Sequence, residues 1–125
     1  MVKILDITLK SQVRGGKNNM GVTRTGIHYP NTEFKKWRDT TVWEIISQRP
    51  KEFKPIDSLE YYWEFNYTPI DYRRRDAPAI LDAVFHCLER ANIVTDDRFI
   101  KYFKFIENIP DKNNPKFNIE VYNKL

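Results

Sequence analysis

The sequence predicts an α+β fold: one domain built on a mixed β-sheet of about four strands with two main helices, in the order β-α-β-α-β-β. Three observations carry that prediction. Residues 58–68 alternate cleanly, with Leu59, Tyr61, Trp63, Phe65 and Tyr67 on one face and Glu60, Tyr62, Glu64 and Asn66 on the other. Ile80, Ala83, Val84, Cys87, Leu88 and Ala91 recur at the spacing that lines one side of a helix. The chain has 125 residues, 41% hydrophobic and 14% aromatic, enough to bury one core but not two.

Taken in order, residues 2–9 alternate through Val2, Ile4, Ile7 and Leu9, a first strand with a phase slip near Asp6. Residues 11–30 hold all four glycines among Arg14, Lys17, Asn18, Asn19, Arg24 and His28, which reads as a loop, or a loop with a short hairpin. Structureless loops of this length are uncommon in compact domains and are often functional. Glycines allow close backbone approach and the cations favour phosphate; the alternative is a basic surface loop. A helix starts at Asn31 or Thr32, both good caps, and its stripe is Phe34, Trp37, Thr41 and Ile45, widened by Val42 and Ile46. Pro50 and the Pro55 region end it. Trp37 and Trp43 read as core or rim residues rather than base-stacking platforms.

After the 58–68 strand, the second helix is capped at Asp76 or Ala77, with Pro78 in its first turn, where a missing N–H costs nothing. Leu81 and Phe85 extend its apolar surface beyond one stripe, which suggests a second subunit against part of it. Asn92 is a suitable stop. Residues 99–107 and 116–123 read as two closing strands, joined through Pro110–Pro115 by a hairpin connection longer than the two-residue minimum.

The formal charge of +4 and a pI of about 9.2 point weakly to an anionic partner. Cys87 is the sole cysteine, so neither an intrachain disulfide nor a cysteine zinc site can form. The charged, alternating start of the chain is unlike a signal peptide, and no apolar run approaches the roughly 20 residues of a membrane helix. The expectation is a soluble cytoplasmic protein.

The chemistry concentrates between Tyr72 and Asp97. Arg73, Arg74 and Arg75 follow a strand, where a guanidinium run suits phosphate clamping, although a solvated run paired with nearby acids is the plainer reading of the run taken alone. Asp76 is by itself an N-cap, and Asp96-Asp97 by itself a turn. Together, carboxylates at neighbouring ends of sheet elements can converge on one hard cation such as magnesium. Such an ion lowers the pKa of a water and stabilises charge on a cleaved phosphodiester. No serine, cysteine or histidine constellation suggests a protein nucleophile.

The segment R-R-R-D-A-P-A-I-L-D-A-V-F-H-C-L-E-R-A-N-I-V-T-D-D at 73–97 resembles the RusA family of Holliday junction resolvases, and the distance from Asp76 to Asp96-Asp97 matches that family's without a gap. Asn18-Asn19 resembles the family's early asparagine pair, and Phe34–Ile46, with W-R-D at 37–39, its first helix. The resemblance implies a small homodimeric endonuclease dependent on Mg2+ or Mn2+, phage or prophage in setting, that nicks a four-way DNA junction symmetrically, one strand per subunit. It implies metal binding by Asp76 and by Asp96-Asp97, with Asp76 and Asp97 catalytic; Asp82 joins them as a metal-binding and catalytic candidate through helix geometry, not through the resemblance. Arg73, Arg74, Arg75 and Arg14, Lys17, Asn18, Asn19 and Arg24 are the implied DNA contacts.

The chain departs from the family at three places. Pro78 and Ala79 replace an aspartate and asparagine, and Asp82 stands where the family has a lysine. Positions 78 and 82 share a helical face, and helix side chains lean toward the N-terminus, so Asp82 could supply the carboxylate that Pro78 lacks. His86, one turn further, would orient it or be solvated; a plain surface acid is the alternative for Asp82. Two other functions stay open: a RusA-like protein that binds branched DNA without cutting it, and a protein-interaction role without DNA.

Overall fold

The computed structural model describes residues 1–10, 20–22, 28–30 and 32–124, the short 20–22 and 28–30 pieces by their backbone. Six strands and two helices appear: β1 (Val2–Leu9), β2 (Met20–Val22), β3 (His28–Pro30), α1 (Thr32–Gln48), β4 (Tyr61–Thr68), α2 (Ala77–Arg90), β5 (Tyr102–Glu107) and β6 (Lys116–Asn123), with a 3-10 turn at Asp97–Phe99. β2 and β3 form a separate antiparallel pair, so the 11–30 stretch does contain a short hairpin. Arg14, Lys17, Asn18, Asn19 and Arg24 lie outside the described residues.

The main sheet runs β1-β6-β4-β5, with β4 and β5 parallel and the other pairs antiparallel. This corrects the expected hairpin between the last two strands. β5 and β6 flank β4 and never touch. The connection steps over the end of β4, where the N–H of Asn108 donates to Tyr67 O at 2.7 Å and that of Asp111 to Pro69 O at 2.9 Å. β6 takes a central place between β1 and β4, and its Phe117, Ile119 and Val121 are all fully buried.

Both helices serve the face carrying Leu5, Ile7, Leu9, Trp63, Phe65, Tyr67, Phe117, Ile119 and Val121. Burying each large side chain of this set contributes roughly 1.5–3 kcal/mol. The phase slip in β1 is a register shift between Lys3 and Leu5, which turns Leu5, Ile7 and Leu9 inward and leaves Val2 exposed. α1 buries the expected Phe34, Trp37, Thr41 and Ile45. Trp43 is 70% exposed, against its reading as core or rim, because it projects from the side of α1 away from that stripe. α2 buries Ile80, Ala83, Val84, Cys87 and Leu88. Phe85 packs its ring 5.3 Å from Phe65 and 5.5 Å from Phe103, so part of the surface expected to meet a second subunit meets the chain's own sheet.

α2 ends where Asn92 enters the left-handed region (φ 58°), a conformation asparagine tolerates better than most residues. The N–H groups of Asn92 and Ile93 then donate to the Glu89 and Leu88 carbonyls at 3.1 and 3.0 Å. The reversed chain bridges Val94 to Ile56 and continues into β5.

The two sheet edges differ. On β1, the Gln48 side-chain amide exchanges hydrogen bonds with Thr8 (2.8 and 2.9 Å), and Glu44 accepts from the Lys10 N–H at 2.8 Å. α1 thus occupies an edge that would otherwise be open for pairing. β5 has no partner on its outer side among the described residues.

Candidate nucleic-acid interface

The strand registers place the ends of β1, β4 and β5 and the start of β6 at one end of the sheet, since Leu9 and Tyr67 both oppose Phe117 and Tyr67 opposes Glu107. The arginine run follows β4 there, and the glycine-rich cationic stretch departs from β1 at the same end. The strands that precede the two basic segments, β1 and β4, thus end together, at the carboxyl ends of the sheet's two parallel strands. That is where open α/β sheets commonly place ligand sites.

The three arginines divide into two roles. Arg73 and Arg74 are exposed, with no ion pair among the described residues. Arg75 turns inward, its side chain 13% exposed, and donates to Asp71 Oδ1 at 2.7 Å and to the carbonyls of Asp71 and Arg73 at 3.1 and 2.8 Å. The Arg73 N–H also donates to Asp71 Oδ1 at 3.0 Å. Arg75 therefore spends its donors on folding the 71–75 turn that presents its two neighbours. Its guanidinium, and the Arg73 N–H after it, hold the Asp71 carboxyl below the usual carboxylate range.

Beneath that turn lies Tyr67, 3% exposed, whose hydroxyl has no hydrogen-bond partner among the described residues. Burial pushes its pKa up, with Arg75 opposing the shift.

Each acidic residue has a local position of its own. Asp76 is the N-cap of α2, accepting from the Ala79 N–H at 3.3 Å. Asp96 caps the 3-10 turn, accepting from the Arg98 N–H at 2.9 Å, and Asp97 opens that turn, exposed. Asp82 and His86 are exposed along α2, without a mutual hydrogen bond. α2 connects two parallel strands, so its start sits at the end of β4 and its finish returns to the beginning of β5. Its 14 residues span about 20 Å at the helical rise, with Asp76 before the first turn and Asp97 beyond the last. The sequence separation matches one helix and its flanks, but a helix in that position separates the two carboxylates within one chain. Among the described residues, no three His, Cys, Asp or Glu side chains converge as a metal-holding group.

No family model matches the chain, and no curated protein does.

The sheet face away from the helices carries a second polar arrangement. Asp6, Glu120 and Glu64 stand in register on β1, β6 and β4. Lys3 pairs with Asp6 and Glu120 at 3.2 and 3.4 Å, the Tyr62 hydroxyl donates to Glu64 at 3.3 Å, and the Tyr122 hydroxyl donates to Glu120. The hydrogen bond to Glu120, with burial and the nearby carboxylates behind it, pushes the Tyr122 phenol up to about 12. Alternation within β4 and β6 put Glu64 and Glu120 on polar faces. Their placement opposite one another required the pairing of residues 56 apart in sequence, which no local pattern carries.

No helix among the described residues is long and apolar enough to cross a membrane.

Proposed function

We propose that the chain is a metal-dependent endodeoxyribonuclease of the RusA type, which cleaves Holliday junctions or other branched DNA using water activated by Mg2+ or Mn2+. The observation that carries the reading is the shared sheet end: exposed Arg73 and Arg74 stand on a turn braced by Arg75 where the cationic 11–30 stretch also departs. Two exposed guanidiniums without an ion pair among the described residues fit phosphate oxygens, and the resemblance of residues 73–97 to the resolvase segment supplies the substrate class.

The carboxylates Asp76, Asp82, Asp96 and Asp97 are hard oxygen donors of the kind Mg2+ takes, but within a single chain they do not fit one ion, because α2 keeps the first apart from the last two. In this reading Asp76 of one copy and Asp96 or Asp97 of another would hold the ion, and the homodimer would be part of the site. The metal would supply the activated water and charge stabilisation; Arg73 and Arg74 would hold the backbone.

One observation favours a second reading, a protein that binds branched DNA without cutting it: Asp76 and Asp96 are both already engaged as helix caps. Incubation with a labelled four-way junction, with and without Mg2+ or Mn2+, separates the two. Paired nicks that need the metal and vanish in Asp97→Asn support the nuclease; tight junction binding without nicks under either metal supports the binder. No preference for junction DNA over duplex sinks both. Asp82 is tested in the same assay, since unchanged cleavage by Asp82→Asn removes it from the site.

A further inference from the structure

We infer that the outer edge of β5 is the interface between two copies of this chain, paired antiparallel about Phe105. The phase of the backbone comes first. The Asn108 N–H points inward to Tyr67 O, and β5 pairs with β4 without a register shift. By the two-residue alternation of a strand, the N–H and C=O groups of Tyr102, Lys104 and Ile106 also point inward, and those of Phe103, Phe105 and Glu107 point outward. β1 has its outward groups at Thr8 and Lys10 met by Gln48 and Glu44, whereas β5 has nothing equivalent among the described residues. Among the described residues, α1 thus covers the end of the β1 edge while the β5 edge is open, and that open edge is aromatic.

An antiparallel two-fold pair keeps the helix face of one sheet continuous with the helix face of the other, so the residue on the axis opposes itself. With Phe105 there, the outward groups of Phe103, Phe105 and Glu107 meet the partner's Glu107, Phe105 and Phe103, and every outward group of the strand is used. Lys104 then faces the partner's Ile106. A shift that centred the axis on Lys104 would oppose two lysines and leave Glu107 unpaired within the strand, which disfavours it. Carried one step further, the same register sets Lys101 beside the partner's Ile109, 79% exposed in one chain, with the partner's Glu107 diagonally within reach of the lysine. The pairing is complementary in charge at both ends by symmetry.

The helix face adds apolar area. Phe103 is 40% exposed at the edge, in edge-to-face contact with Phe85, and Leu81 lies one turn before Phe85 on α2, half-buried. Two such clusters would meet across the axis. The antiparallel sense also brings the Asp97 end of one copy beside the Asp76 end of the other. This last consequence rests on the proposed nuclease reading; the interface itself does not.

Sedimentation of the full chain tests the interface. A species of twice the 15.1 kDa chain mass is expected. Glu107→Pro removes an outward N–H that β4 does not use, and should raise the dimer dissociation constant about tenfold or more. The double variant Lys104→Cys, Ile106→Cys should form an intermolecular disulfide under mild oxidation, since those positions oppose each other as a close, non-hydrogen-bonded pair. The crosslink decides the matter should Glu107→Pro fail to fold. A monomer, or a dimer that neither weakens with Glu107→Pro nor crosslinks, overturns the proposal. A crosslinked dimer with no metal-dependent cleavage leaves the interface standing and removes the nuclease reading, whereas metal-dependent cleavage by a monomer removes the interface and the sharing of carboxylates between copies but leaves the nuclease activity.

Discussion

Replacing Arg73 and Arg74 together by alanine should remove salt-sensitive DNA binding while leaving the fold intact, and replacing Arg75 should do the opposite. The first two side chains are exposed and pair with nothing among the described residues, so their loss should change stability by no more than about 0.5 kcal/mol. If each neutralises one phosphate, the slope of log K against log salt becomes shallower by about 0.9 per residue, about 1.8 for the pair. Between 50 and 200 mM salt the double variant would then lose about tenfold less affinity than the unaltered chain. Arg75→Ala removes three hydrogen bonds that close the 71–75 turn, two to carbonyls and one to Asp71. With Asp71 free to regain water, the cost should be about 1–2 kcal/mol, seen as a thermal midpoint lower by roughly 4–8 °C. Fluorescence anisotropy of a labelled four-way junction across a salt series, beside thermal unfolding of each variant, reads both effects. An unchanged slope in Arg73→Ala, Arg74→Ala would refute the phosphate role, and an Arg75→Ala protein as stable as the parent would refute the division of labour.

Three further expectations concern the scaffold. Asn92→Ala should cost about 1 kcal/mol in urea unfolding, because φ is 58° there, while Asn92→Gly should cost little or nothing; equal stability of all three would remove the left-handed stop. Cys87 is fully buried and burial pushes its thiol up to about 12, so native protein at pH 8 should resist a thiol reagent until it unfolds. Because that pKa rises from 9.0 on folding, the folded state keeps the proton longer, and the thiol's contribution to stability should fall as pH climbs from about 9 toward 12; a Cys87→Ala variant with an unchanged alkaline limb would contradict it. Gln48→Leu should cost about 1–2 kcal/mol and promote association through the uncovered β1 edge, and a variant that is neither less stable nor more aggregated on light scattering would argue against the guard.

The local elements were legible in the sequence because each is written in a short-range pattern. Trp63, Phe65 and Tyr67 alternate, so they bury together; Ile80, Ala83, Val84, Cys87 and Leu88 recur at helical spacing, so they face one way. Asp76 as N-cap and Asn92 as stop follow from side-chain chemistry within a few residues. The same periodicity could have separated Trp43 from the Phe34–Ile45 stripe, since it falls on the opposite side of α1, but its aromatic character pulled it toward the core reading.

What only the tertiary structure decided was long-range. Nothing in residues 110–115 announces that β6 will pass over β4 and insert beside β1, because pairing partners are chosen by the fit of whole strands and not by the turn between them. Arg75 could not be told from Arg73 and Arg74 until the chain bent back on Asp71 and gave one guanidinium three acceptors. The spacing from Asp76 to Asp97 suggested a shared site, yet spacing is silent on direction. A parallel crossover makes the intervening helix a spacer about 20 Å long that sets the two carboxylates at opposite ends of the sheet. The sequence determined which residues bury and which cap; the arrangement of strands determined which charged groups stand together.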